Sequence, residues 1–434
     1  MPSLFARGSN ARDIAESLEY AMRSGALQPG DPLPAVRRLA SDLGVNPNTV
    51  AAAYARLRNA GRLTTAGRHG TRVADEPPRP APVFAVPPGL RDLASGHVDA
   101  ALLPTASQLP SAPHNDTMWN AELQSLGCGW LQAQGLPQDA MGVFSGTLDA
   151  VERALRQHAR PGDRVAIEDP CWPPLLALLH SLRLVPVGLP VDAQGVCVPP
   201  PGLLAGCVAL VITPRAHNPT GAALGTTRWR TLRRQLQASP HTLLILDDHW
   251  GLLSQAPLAV AGALPPLWLH VLSVSKALGP DCRVALVAGT PHLVQGMCAH
   301  QTLGPRWVSR WLQAWVARLW SQTRKGREPG SLRHMAARYG ARRTVLVRAL
   351  RDEGVEIACG ERGEGLHLWL PVPHEAAVAQ FMAARGWAVQ VGAPLRLQAG
   401  PAIRVSIGTV GPRDMARLAR DLAAALRHTA RAVF

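Results

Sequence analysis

Apolar residues near the start of the chain recur at helical spacing. Ile14, Leu18 and Met22 place one apolar stripe on residues 11 to 24, which Gly25 ends. Pro34 opens a second helix through Leu39, with Leu43 and Gly44 closing it. Asn46-Pro-Asn-Thr leads into a third, residues 50 to 60, stopped by Gly61. Two helices joined by a short glycine-containing turn make a helix-turn-helix. After Arg62-Leu-Thr-Thr, the run Ala-Gly-Arg-His-Gly-Thr-Arg-Val reads as a hairpin with a basic, glycine-bearing tip, a wing.

The pattern changes after residue 74. Residues 75 to 90 hold six prolines in sixteen positions, which denies a regular helix or central strand and predicts an extended, semi-rigid linker. From residue 91 to 434 apolar strands alternate with helices, the order that builds an α/β domain, with a smaller C-terminal α/β subdomain expected from about residue 330. Strands are expected at 141–144, 164–167, 208–213, 242–246 and 269–272. No apolar run reaches the ~18 residues of a membrane span, and the first ten residues lack the apolar core of a secretion leader. A soluble, cytoplasmic chain is expected. The seven cysteines are scattered without a Cys-x-x-Cys pair, so neither a metal site nor a disulfide framework is indicated.

Charge adds a partner. The formal net charge is +15, which suits a polyanion. Residues 1 to 74 carry ten arginines against five acids (Asp13, Glu16, Glu19, Asp31 and Asp42). That balance supplies phosphate contacts for double-stranded DNA. The expected contacts are Arg37 and Arg38 on the second helix and Asn46, Asn48 and Thr49 at the start of the recognition helix. Tyr54 farther along that helix, and Arg68, His69 and Thr71 in the wing, complete the set. A protein-interaction module in which Asn48 or Thr49 merely caps a helix would leave the wing and the charge unexplained.

Two of the 45 basic residues are lysines, and one stands in Ser273-Val-Ser-Lys-Ala-Leu-Gly-Pro. Arginine carries charge, but its guanidinium stays protonated and cannot condense with an aldehyde. Lys276 can, once its surroundings deprotonate it. Other constellations fall into place around it. Ser145-Gly146-Thr147 follows an apolar run and opens a helix expected at 148–157, where backbone amides meet phosphate. Trp172, just after a strand, offers an indole to stack on a ring, although twelve tryptophans make packing about as good a reading. Asn218-Pro-Thr-Gly is a turn on any reading. Asp247 ends a strand where α/β sheets bind ligands, and such a carboxylate can pair with a protonated pyridine nitrogen. Ser273, Ser275 and Arg283 group two hydroxyls and a guanidinium beside the amine as a phosphate cradle.

Two resemblances follow from these residues. Residues 33–54, Leu-Pro-Ala-Val-Arg-Arg-Leu-Ala-Ser-Asp-Leu-Gly-Val-Asn-Pro-Asn-Thr-Val-Ala-Ala-Ala-Tyr, resemble the winged helix of the GntR regulators. Asn218-Pro-Thr-Gly, the Asp247 strand end, Ser273-x-Ser-Lys276 and Arg283 resemble the fold-type I aminotransferases. Joined in one chain, from about residue 11 to 428, they are similar to the MocR regulators. The resemblance implies a winged helix-turn-helix joined to an aminotransferase-like domain with a mixed, mostly parallel sheet and flanking helices. It also implies pyridoxal 5′-phosphate held by Lys276 as an internal aldimine. Asp247 would meet the pyridine nitrogen, Asn218 the 3′-oxygen and Trp172 the ring face. Gly146, Thr147, Ser273, Ser275 and Arg283 would hold the phosphate, and Arg404 would grip an effector carboxylate. In place of the tyrosine that usually hydrogen-bonds the cofactor oxygen stands His249, followed by Trp250. An imidazole can do the same with a different proton affinity, so slow or absent transamination is expected.

Two functions compete: a regulator that binds DNA and senses pyridoxal phosphate, an amine or an amino acid, and an aminotransferase with an accessory DNA-binding module. An enzyme has no need of a basic wing and recognition helix, so the regulator is preferred. The resemblance further implies a homodimer on an operator of two half-sites, and a role in vitamin B6 or amino-compound metabolism.

Overall fold

The structure is a computed structural model. It describes residues 6–59, 61–65, 70–74, 86–104, 118–260, 264–324, 326, 329–355, 357 and 359–431. Arg68 and His69 therefore lie outside the described residues, as does most of the proline-rich segment. The chain divides into two compact units. One comprises residues up to Ala81 with the short stretches Ala159–Asp163 and Leu179–Val185, and the other the remainder.

The first unit begins with α1 (Ala11–Arg23), α2 (Val36–Leu43) and α3 (Pro47–Asn59), followed by the antiparallel pair β1 (Leu63–Thr65) and β2 (Thr71–Val73). Asn10 caps α1 by accepting from the amides of Arg12 and Asp13, both at 3.0 Å. Gly44 closes α2 in the left-handed conformation at φ 65, which a glycine adopts without strain. Helix α3 starts three residues earlier than the sequence pattern suggests. Pro47 occupies a first-turn position rather than breaking the helix, and Asn46 Oδ1 accepts the Asn48 amide at 2.8 Å. Ile14, Leu18, Leu39, Val50, Tyr54, Leu57, Leu63 and Val73 share one core.

The second unit is built on an eight-stranded sheet. Its strands are β4 (Met141–Phe144), β5 (Arg164–Asp169), β6 (Val185–Asp192), β7 (Gly195–Val196), β8 (Ala209–Ile212), β9 (Leu243–Asp248), β10 (Trp268–Ser273) and β11 (Ala285–Gly289). They lie in the order β4-β11-β10-β9-β8-β5-β6-β7. Strands β5, β8, β9 and β10 are mutually parallel, and β11 runs antiparallel between β10 and β4. Every residue of β8 and β10 is buried, as befits parallel strands covered on both faces. Helices α4 (Ala121–Ala133), α5 (Thr147–His158), α6 (Pro173–Ser181), α7 (Thr226–Gln237), α8 (Ser275–Leu278), α9 (Pro291–Thr302) and α10 (Arg310–Thr323) flank it.

A long helix, α11 (Leu332–Asp352), leads into a second sheet of order β12-β14-β13-β3. Its members are β3 (Arg91–Leu93), β12 (His367–Pro371), β13 (Trp387–Val391) and β14 (Ala402–Ser406), with α12 (Glu375–Ala383) and α13 (Pro412–Arg431). Leu346, Leu350, Leu368, Trp387, Ile403, Val405, Leu418 and Leu422 form a separate core there. The N-terminal strand β3 thus pairs, in parallel, with a strand near the end of the chain.

Candidate cofactor site and DNA-binding module

The carboxyl ends of β9 and β10 carry the chemistry. Asp247 is enclosed, and its Oδ1 has no hydrogen-bond partner. Burial, reinforced by the charge of Asp248, pushes its carboxyl up to about 7, against a hydrogen bond from the Thr147 hydroxyl. Asp248 is the opposite case. Burial opposes its charge, but Arg215 (Nε to Oδ1, 3.1 Å) and His270 (Nε2 to Oδ2, 3.1 Å) outweigh it and hold the carboxyl near 2.

At the end of β10, Lys276 Nζ donates to the Gly96 carbonyl at 2.8 Å. Burial, then the nearby guanidiniums of Arg404 and Arg283, push its ammonium down to about 8. A usable fraction of free amine therefore exists near neutral pH. Arg283 lies across Gly146, where an added Cβ would sit 2.5 Å from a guanidinium nitrogen. Gly146 also has φ +95, so glycine is needed there twice over. The Ser145 amide donates to Asp149 Oδ2 at 2.9 Å, which shapes the turn entering α5.

Ser273 is buried beside Lys276 and accepts the Ser275 amide at 3.4 Å. The Ser275 hydroxyl donates to the Cys282 carbonyl at 2.8 Å, so it braces the loop that returns to Arg283. Trp172 is half-buried and follows a cis Asp169–Pro170 bond. Its turn is anchored by Asp169, which accepts the amides of Leu397, Gln398 and Ala399 at 2.7–2.8 Å. Arg404, in the middle of β14, donates to Asn218 Oδ1 at 3.1 Å and to the Ala94 carbonyl. Its Nε has no partner. His249 is pushed down to about 4, first by burial and then by Lys276, so its imidazole is neutral at physiological pH.

The structure therefore brings Lys276, Arg283, Gly146, Thr147 and Asp247 around one site, and joins Asn218 to Arg404. Sequence pattern misses the parts that come from afar. The carbonyls of Ala94 and Gly96 are backbone groups, invisible to side-chain pattern. His367, whose ring would meet a Cβ on Gly96 at 2.5 Å and whose Nδ1 lies 3.0 Å from Ser406 Oγ, belongs to the distant strand β12. Arg215 stands just before the Asn218 turn, where nothing in the local sequence points to Asp248 as its partner.

In the first unit, Arg37, Arg38, Asn46 and Asn48 are exposed, and Thr49 and Thr71 half-buried. Tyr54 overturns one expectation. It is 1% exposed, and its hydroxyl donates to the Pro34 carbonyl at 2.9 Å. With Val50 and Leu57 it forms the inward stripe of α3, so it holds the module together and cannot reach DNA. Tyr54→Phe should cost about 1 kcal/mol in thermal unfolding, and Tyr54→Ala about 3–5 kcal/mol.

Residues 10–73 match the Bacterial regulatory proteins, gntR family, and residues 122–422 match Aminotransferase class I and II. The vitamin B6 salvage pathway transcriptional repressor PtsJ of Salmonella typhimurium is 35% identical over 96% of this chain and 99% of its own length. The chain belongs to the MocR regulators. The pyridoxine biosynthesis regulator PdxR of Corynebacterium glutamicum is 29% identical over 63% of this regulator and 61% of its own chain. Among solved structures, kynurenine aminotransferase of Pyrococcus horikoshii superposes with a TM-score of 0.67 at 19% identity, covering 78% of this chain and 91% of the enzyme. The second unit of this MocR regulator thus has the aminotransferase fold.

Family and fold imply pyridoxal 5′-phosphate, and the residues present fit it. The orphaned Asp247 Oδ1 is an acceptor in want of a cationic donor, which a protonated pyridine nitrogen supplies. The amine of Lys276 is depressed enough to react, and Arg283 with the turn at Gly146 offers positive charge to a phosphate.

Proposed function

We propose that this regulator senses pyridoxal phosphate, or an amino compound reacting with it, and controls vitamin B6 metabolism through its winged helix. The observation that carries this reading is the pairing of a depressed amine at Lys276 with the orphaned carboxylate oxygen of Asp247, in a chain that begins with a GntR module. When bound, the cofactor supplies an electrophilic carbon and an electron-accepting ring. The chain's own residues do the rest. Lys276 gives the nucleophilic amine and Asp247 holds the proton of the ring nitrogen. Gly146, Thr147, Ser273, Ser275 and Arg283 would receive the phosphate, and the Thr147 and Ser275 hydroxyls also bond to Asp247 and to the Cys282 carbonyl. Trp172 covers the ring, and Asn218 and His249 face the ring oxygen. Arg404 takes an effector carboxylate if one is present.

DNA contact falls to Arg37, Arg38, Asn46, Asn48, Thr49 and Thr71, with Arg68 and His69 in the wing. Residues 1–74 act as the DNA-binding domain, 75–90 as a linker and 91–434 as the effector domain. The regulator works as a cytoplasmic homodimer on two half-sites. The names of PtsJ and PdxR support the B6 assignment.

The experiment is to select binding sites from random duplex DNA with the purified full chain, then titrate pyridoxal phosphate. Affinity for the selected site should change with the cofactor, together with a new visible absorption band. A band without any change in DNA affinity would refute the regulator. Arg37→Ala and Arg38→Ala should each flatten the log–log salt slope of DNA binding by about 0.9 for every phosphate left without its guanidinium, and leave the band unchanged. Asn48→Ala should weaken selected sites more than random DNA. The neutral His249 gives a further expectation. Amino acids with 2-oxo acid acceptors should interconvert the aldehyde and amine forms of the cofactor well below about 1 per second. Stopped-flow absorption at faster, steady turnover would make the chain an enzyme.

A further inference from the structure

Strand β3 leads away from its own sheet. Leu93, its last residue, is buried in the core of the second sheet, whereas Val98 and Leu102 pack on the core beside β10, with Leu272 and Val274. Residues 91–103 thus form a strap from one sheet to the other. One end is fastened by the pairing of β3 with β13 and by Arg91, which lies 5.4 Å from the Trp387 ring and pairs with Asp414. The other end is fastened by Asp99, which pairs with Arg342 and whose amide donates to the Tyr339 hydroxyl at 2.9 Å. Between these anchors the backbone is gripped by the cofactor site itself. The Ala94 carbonyl accepts from Arg404, and the Gly96 carbonyl accepts from Lys276 Nζ at 2.8 Å. Gly96 has φ +71, and a Cβ there would stand 2.5 Å from His367 Cε1, so the strap is pressed against β12 where the amine holds it.

We propose that this strap reads the occupancy of the cofactor site and passes it to the winged helix. The two side chains that meet ligands are the two that grip its middle, so ligand chemistry at Lys276 and Arg404 frees the Gly96 and Ala94 carbonyls. The slackened strap is continuous in the chain with residues 75–90, and through them with the DNA-binding module. All of this rests on the reading that Lys276 condenses with pyridoxal phosphate.

Lys276 cannot serve both partners. Its amine attacks the aldehyde carbon, the aldehyde oxygen leaves as water with both amine protons, and a carbon–nitrogen double bond remains. The product nitrogen retains neither proton that it had to offer Gly96. Arg404 is displaced by competition instead. One terminal nitrogen donates to Ala94 and the other to Asn218, while Nε has no partner. A carboxylate gripped by two arms of that fork takes at least one terminal nitrogen, and charge-assisted bonds to an ionised acceptor outweigh one to a neutral carbonyl. Nothing comparable replaces the lost holds from within. Asp92 Oδ1 accepts the Ala94 and Ser95 amides at 2.9 and 2.8 Å, but it belongs to the strap and cannot anchor it to either sheet.

The test is hydrogen–deuterium exchange of the full chain, read by mass spectrometry on peptides covering residues 91–103. Pyridoxal phosphate should speed exchange there about tenfold, the scale of losing one hydrogen bond to a charged donor, while β8 exchanges no faster. Lys276→Ala removes that donor directly. Without any cofactor it should speed exchange of the strap by a similar factor, and pyridoxal phosphate should then add nothing. Asp99→Asn loosens the far anchor and touches neither Lys276 nor Arg404. It should speed exchange of the strap and move DNA affinity towards the value the parent shows with cofactor, with the visible band unchanged. Should Lys276→Ala fail to fold, the parent's response and Asp99→Asn decide. A visible band without faster exchange of the strap would overturn the proposal and leave the cofactor reading intact. So would an Asp99→Asn chain whose strap exchanges faster while its DNA affinity stays at the parent's value. If the parent forms no band, the cofactor reading falls and the strap has nothing to read.

Discussion

Replacing Lys276 by alanine should abolish covalent capture of pyridoxal phosphate. In the parent protein, borohydride should fix the cofactor to the peptide that contains Lys276, and mass spectrometry should find one adduct per chain. Lys276→Ala should give none, and Lys276→Arg should also give none, because a guanidinium keeps the charge without offering a nucleophile. The pH dependence follows from the depressed amine. With the amine near 8, the rate of capture should rise about tenfold per pH unit below 8 and level off above it. An ordinary exposed lysine, near 10.4, would still be climbing at pH 9. Lys325, the other lysine, provides the control. An adduct there, or capture in Lys276→Ala, would remove the amine on which the functional reading depends.

Lys276 is legible in the sequence because it combines rarity with context: one of two lysines, after an apolar strand and directly behind the serines at 273 and 275. Asp247 is accessible for a similar reason, as the polar end of an apolar run in an α/β pattern. What sequence pattern cannot carry is the identity of neighbours across the sheet. Arg215, Asp248 and His270 come from the adjacent strands β8, β9 and β10 or the turn after them, and only the strand order makes them one group. Likewise Glu168 and His217 each stand inside a recognisable motif, yet their meeting requires β5 to lie beside β8. Tyr54 shows the opposite failure. Its spacing from Val50 and Leu57 already places it on the inward face of α3, and that periodicity outweighs the hydroxyl that suggests DNA. The early start of α3 escapes a reading in which proline breaks helices, although the first turn is where a proline costs nothing.

The Arg215–Asp248 pair should be the most costly polar contact in the fold to break. Both side chains are buried, at 2% and 0% exposure, and the guanidinium also donates to Gln134 Oε1 at 2.9 Å and lies 5.6 Å from the Trp130 ring. Arg215→Met keeps much of the volume but strands the carboxylate, so it should destabilise the second unit by about 3–5 kcal/mol at pH 7. The pH dependence then distinguishes a missing charge partner from poorer packing. In the parent, Asp248 sits near 2 when folded and about 3.9 when unfolded. That contribution is fully present above about 3.9 and is lost as pH falls towards 2. Without Arg215, burial dominates and the folded carboxyl rises above its unfolded value, so the sign reverses. The variant should recover relative stability as pH is lowered from 7 towards 4, and Asp248→Asn in the same background should restore part of the loss at pH 7. Chemical denaturation of the cofactor-free chain at several pH values measures both. A deficit that stays constant from pH 7 to pH 4 would mean that the arginine acts by packing, and that the charge of Asp248 is held by His270 instead.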